Sequence, residues 1–154
     1  MPIELRHATL NDASQVLSWL ADASACLLWA GPNVRFPTNA HRLWLDIDAT
    51  PSNTFALYRG QMLVGFGQLV ARDDGRAHLA RLIVSPGHRG QGLGRVLCEM
   101  LMTHPPLARS AREFTLNVYP DNGATFALYL SLGFTVSPEQ PRIDIVHMSR
   151  LIGA

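Results

Sequence analysis

The run Leu79-Ala80-Arg81-Leu82-Ile83-Val84, stopped by Ser85-Pro86-Gly87 and followed by Arg89-Gly90-Gln91-Gly92-Leu93-Gly94-Arg95, allows few folds. It reads as strand, tight turn, helix. Proline removes a ladder donor and glycine readily leaves the β region, so the strand ends at Val84. From Leu93 the apolar positions Leu93, Val96, Leu97, Met100 and Leu101 recur at helical spacing and form one stripe, which Pro105-Pro106 ends. A turn of this kind leaves backbone N–H groups unpaired at the positive end of the helix dipole. Gly90, Gly92 and Gly94 let a ligand approach the main chain closely. A phosphate suits such a seat, although a bare strand-to-helix connection would show the same glycines.

Two familiar phosphate loops do not match. The Gly-x-x-x-x-Gly-Lys-Ser/Thr spacing is absent and the chain contains no lysine, while Gly90-x-Gly92-x-Gly94 fails the Gly-x-Gly-x-x-Gly dinucleotide pattern and lies mid-chain. What remains is Arg89-x-x-Gly92-x-Gly94, preceded by Val84-x-Pro86. A second motif follows, in which Asn122 opens a segment ending Phe126-Ala127-Leu128-Tyr129-Leu130-Ser131-Leu132-Gly133-Phe134. Asn122 suits a helix N-cap and Gly133 the position after a helix end. Together these resemble the GNAT (GCN5-related N-acetyltransferase) family. Its pyrophosphate loop reads Gln/Arg-x-x-Gly-x-Gly/Ala after the fourth strand, and its later signature is Asn, then Leu-Tyr, then Gly-Phe. Thr125 departs from the alanine common there.

The 154 residues, 47% hydrophobic and 16% charged, are expected to form one domain over residues 1–154 with a buried core. Formal net charge is +1 and the arginines are scattered, so neither nucleic acid nor an anionic membrane surface is an expected partner. Cys26 and Cys98 form no Cys-x-x-Cys and read as reduced, structural residues. No basic n-region precedes an apolar run, and no apolar stretch approaches the roughly 20 residues of a membrane span, so a cytoplasmic location is expected. The expected assembly is a monomer or homodimer.

In chain order, Ile3-Glu4-Leu5-Arg6 alternates as a first strand, and Asn11 or Asp12 then caps a helix that turns Val16, Leu17 and Leu20 inward. Cys26 to Pro37 is apolar, aromatic and broken by glycine and proline, so it reads as no single regular element. It is either a lid on the core or, with Trp29, Phe36 and Trp44, a wall of an acceptor pocket. Thr38 caps a second helix carrying Leu43, Trp44 and Ile47. Strands are expected over 52–59, 62–72 and 76–84, with Asp74-Gly75 as a hairpin turn. Further strands fall at 114–118, near Phe134 and over 143–148. The result is an α/β (α+β) chain in the order β-α-α-β-β-β-α-β-α-β-β: a mixed central sheet of about seven strands with helices on both faces, as in the GNAT family.

The resemblance implies a function as well: acetyl-CoA as cosubstrate, an amine acceptor, no metal, and acyl transfer by direct attack. In that fold the fourth and fifth strands splay apart. Leu82, Ile83 and Val84 would then lie along the pantetheine arm, the N–H groups from Arg89 through Gly90, Gln91, Gly92, Leu93 and Gly94 to Arg95 would seat the pyrophosphate, and Asn122 would belong to the same site. Tyr129 would be the general acid for the leaving thiolate, against its alternative as an ordinary core tyrosine. The base departs from better-known relatives. Ribosomal-protein acetyltransferases place a glutamate where this chain has Asn117, which takes no proton. Histone acetyltransferases place one where it has His78, and a neutral imidazole suits the task near pH 7. His147, Asp144 and Glu113 are lesser base candidates, a water chain is the remaining route, and His88, in the glycine turn, is expected to cap or contact phosphate. A non-catalytic acyl-CoA sensor of the same fold is the alternative to an enzyme.

Overall fold

The computed structural model describes residues 2–152. Its elements are β1 (Ile3–His7), α1 (Leu10–Leu17), α2 (Ala23–Ala30), α3 (Ala40–Asp46), β2 (Thr54–Arg59), β3 (Met62–Ala71), β4 (Arg76–Val84), α4 (Leu93–Leu101), α5 (Leu107–Ser110), β5 (Glu113–Val118), α6 (Gly123–Ser131), β6 (Thr135–Val136) and β7 (Val146–Leu151). The strands form one seven-stranded mixed sheet in the order β1-β2-β3-β4-β5-β7-β6. The expected fold class is the observed one. By internal contacts the residues fall into two compact units, one of the chain through Gln68 with Arg81–Leu97, the other of Leu69–Ala80 with the chain from Cys98 onward.

The first unit is built on α1, α2 and α3. Thr9 and Asp12 close a reciprocal capping box on α1: Asp12 N–H donates to Thr9 Oγ1 at 3.2 Å and Thr9 N–H to Asp12 Oδ2 at 2.9 Å. Asp12 is buried, and its second oxygen accepts from the Tyr58 hydroxyl, over whose ring the Arg6 guanidinium lies at 4.3 Å. The expected cap at Asn11 or Asp12 is therefore Thr9, with Asp12 completing the box three residues later. The core joins Ala13, Val16, Leu20, Cys26, Leu43, Ile47, Leu63 and Phe66. The stretch expected to be irregular is helical as far as Ala30, capped by Asp22, whose side chain accepts from Ala25 N–H. Gly31, at φ +86°, ends it. Asn39, rather than Thr38, caps α3. Trp29, Phe36 and Trp44 pack against this core, as the lid reading expects.

In the second unit Asp74 and Gly75 are both left-handed (φ 63° and 75°), giving the hairpin turn that Asp-Gly foretells. β4 pairs in parallel with β5 over three positions, Arg76 with Glu113, Ala77 with Phe114 and His78 with Thr115. β5 pairs along its whole length with β7. That register separates two faces. Ala77, Phe114, Leu116, Val118 and Met148 are buried on one, while His78, Thr115, Asn117, His147 and Ser149 share the other. The last strand lies three residues later than expected, because the segment before it, with fully exposed Ile143, is irregular.

Candidate active site

In the first unit, Gly90 and Gly92 are left-handed at φ 78° and 77°, a conformation that glycine adopts without steric cost. A Cβ at either would meet nothing within 4 Å, so the constraint is backbone shape and open space, not crowding. Val96 N–H donates to the Gly92 carbonyl at 3.2 Å as the first helical bond of α4, so the glycine turn leads straight into the helix's N-terminal end. Leu93 is buried and anchors the helix start; Gly90, Gln91 and Gly92 are exposed. Gln91 accepts from Arg59 Nη1 at 3.0 Å, and Arg89 Nε donates to the Val84 carbonyl at 3.2 Å, which straps the turn to the strand end. His88, expected to cap or contact phosphate, lies with Nδ1 3.2 Å from Ser85 Oγ.

Leu82, Ile83 and Val84 are only half-buried. Just before them Arg81 is left-handed at φ 50°, costly for a residue with a side chain. Trp29 Nε1 donates to its carbonyl at 2.8 Å, and its guanidinium donates to the Ala30 carbonyl (3.2 Å) and to Gln68 Oε1 (2.9 Å). Gln68 is itself buried and donates to the Ile47 carbonyl and Thr54 Oγ1. This clamp over-determines the kink in β4. Sequence reasoning missed it, although an arginine inside an apolar run was the available signal.

In the second unit, α6 ends in a Schellman motif. Phe134 N–H donates to the Tyr129 carbonyl (3.1 Å) and Gly133 N–H to Leu130 (3.0 Å), with Gly133 at φ +93°. The accompanying apolar contact joins the rings of Tyr129 and Phe134, centroids 6.2 Å apart. The Leu-Tyr and Gly-Phe pieces of the sequence thus belong to one device that fixes Tyr129. Burial, with a smaller contribution from Cys98, holds the Tyr129 phenol well above its ordinary pKa, so it stays protonated. Asn122 stands at the N-cap of α6, but its side chain makes no cap hydrogen bond, in contrast to the expectation.

His78 is the last β4 residue paired with β5, and it is 8% exposed. Its Nδ1 lies 2.7 Å from Thr115 Oγ1. His147 on β7 stands directly opposite Asn117 and parallel to the His78 ring, at 13° with centroids 6.4 Å apart. Burial, then the Arg76 charge, hold the His147 pKa below the usual histidine value, against a smaller opposing pull from Glu113. Glu113 is itself paired with Arg76 at 3.0 Å, and Asp144 with Arg142 at 2.5 Å. Among the described residues no group of three or more His, Cys, Asp or Glu is placed to hold a metal ion, and no helix is long and apolar enough to cross a membrane.

The sequence profile of the acetyltransferase (GNAT) family matches residues 17–134. The chain belongs to that family. An L-methionine sulfoximine/L-methionine sulfone acetyltransferase of Salmonella typhimurium is 27% identical over 67% of this chain and 70% of its own length. A mycothiol acetyltransferase of Streptomyces scabiei is 39% identical over 52% of this chain, but that match spans only 24% of the longer protein. Among solved structures, a putative acetyltransferase from Salmonella typhimurium with its cofactor acetyl-CoA is similar with a TM-score of 0.73 at 19% identity, covering 100% of this chain and 96% of that one. GNAT enzymes are acyltransferases with acetyl-CoA as cosubstrate. Two left-handed glycines, the open space beside them and the N-terminal end of α4 suit its pyrophosphate.

Proposed function

We propose that this GNAT enzyme is an N-acetyltransferase that moves the acetyl group of acetyl-CoA to an amine of a small molecule or a polypeptide N-terminus by direct attack in a ternary complex. The observation that carries the reading is Tyr129: a buried phenol, kept protonated and locked by the Schellman turn, is what a general acid requires and what a non-catalytic binder does not. The relatives named for methionine sulfoximine and mycothiol favour a small amine.

The N–H groups at Gly90–Arg95 seat the pyrophosphate, and the half-exposed backbone at Leu82–Val84 pairs with the pantetheine arm. The three-pair β4–β5 ladder supports this, since β4 continues well past its last partner. His78 takes the proton of the acceptor's ammonium, and the freed nitrogen attacks the thioester carbonyl, polarised by a strand N–H near Val84. As the C–N bond forms the C–S bond breaks, Tyr129 gives its phenolic proton to the departing sulfur, and the new amide nitrogen loses its second proton to solvent. Exchange with solvent returns one proton to Tyr129 and removes one from His78.

The test is a panel of amines, begun with amino acids and their sulfoximine and sulfone analogues, read by release of free CoA thiol. One class of small amine is expected to give turnover. Acetyl-CoA alone is expected to raise Tm, since a ligand selective for the folded state stabilises it. Unchanged melting at millimolar acetyl-CoA would remove the cofactor assignment.

A further inference from the structure

His78 and His147 are built alike. His78 Nδ1 lies 2.7 Å from Thr115 Oγ1, and His147 Nδ1 lies 2.7 Å from Ser137 Oγ. Ser137 Oγ also lies 3.2 Å from Ser149 Oγ, which ties the His147 ring to a hydroxyl pair. Gln140 holds the His147 backbone on both sides, accepting from its N–H at 2.9 Å and donating to its carbonyl at 3.0 Å. His147 also stands opposite Asn117.

We propose that His147 is a second proton acceptor coupled to His78, so that the two imidazoles together take one proton, the one removed from the acceptor's ammonium. This rests on the acetyltransfer reading above. The rings are too far apart to share a hydrogen bond, and their coupling is electrostatic: a charge on one ring opposes charge on the other. At a separation of 6.4 Å, two unit charges displace each other's titration by about 0.5 pH units with water's dielectric and about 2 units at an effective dielectric near 20. The other charged groups acting on His147 are Arg76 from β4, which opposes its protonation, and Glu113 from β5, which favours it. While His78 is charged, His147 charges only at lower pH. If His78 is removed, His147 titrates as a single group and takes over the role.

Histidine ring signals followed by NMR against pH in the wild type, His78→Gln and His147→Gln test the coupling. The His147 midpoint is expected to rise by about 0.5–2 units in His78→Gln. The acid limb of kcat/KM is expected to survive in each single variant and to vanish in the double variant. His78→Asn, whose amide can still bond Thr115, serves if His78→Gln does not fold. An unmoved His147 midpoint overturns the coupling, and loss of the limb in His78→Gln alone overturns His147 as an acceptor. If the wild type acetylates no amine, the acetyltransfer reading falls, and the NMR titrations still decide whether the rings share one proton.

Discussion

At the residue scale the proposed chemistry rests on Tyr129, which burial keeps protonated and a helix end keeps in place. Tyr129→Phe retains the ring and its packing on Phe134 and removes only the transferable proton. Turnover is expected to fall by roughly ten- to a thousandfold, within the range general acids supply, with acetyl-CoA binding retained. Steady-state kinetics beside a thermal-shift titration checks both halves, and equal turnover would make Tyr129 a packing residue.

Among the elements, the glycine turn and the end of α6 each use left-handed backbone for a different purpose. At Gly92 the left-handed shape leaves open space for a ligand, whereas at Gly133 it closes the Schellman turn, with the Arg150 side chain 3.4 Å from a would-be Cβ. Gly92→Glu should abolish the Tm rise given by acetyl-CoA, because it adds strain and a like charge at the proposed pyrophosphate seat; a calorimetric titration reads this directly. Gly133→Ala should instead lower the stability of the unliganded protein by about 1–2 kcal/mol, the usual cost of a side chain in the left-handed region. In a chain of this size that is a Tm loss of about 2–8 °C, visible in a melting scan.

For the whole molecule, four side chains bound the pH range of stability. His147 is held below its ordinary 6.5, so the unfolded state binds its proton first and stability falls as pH drops below that value. Tyr58 is pushed up to about 12 from 10.0 by burial and by its bond to Asp12, and Tyr129 is raised further. For these the unfolded state loses its proton first, so stability falls as pH rises above 10. Burial also raises the Cys26 thiol from 9.0, so a plateau of Tm between about pH 6.5 and 9 is expected, with Tyr58→Phe softening the fall above pH 10. A Tm independent of pH from 10 to 12 would contradict it.

Much of this was legible in local pattern. The strand, turn and helix around Gly90–Gly94, the Asp-Gly hairpin and the Asn122-to-Phe134 signature each depend on neighbours in the chain, through proline and glycine backbone preferences and helical spacing. They were enough to carry the family resemblance and the succession of strands along the chain. Three features depended on residues far apart in sequence. Thr9 wins the α1 cap because Asp12 is held from the other side by Tyr58, 46 residues away. The Arg81 kink stands because Trp29, Ala30 and Gln68 hold it there. His147 meets His78 only through the register of β4 with β5 and of β5 with β7. Local sequence states which conformations a segment prefers; which polar groups meet across strands is decided by register, and register is settled only when the sheet assembles.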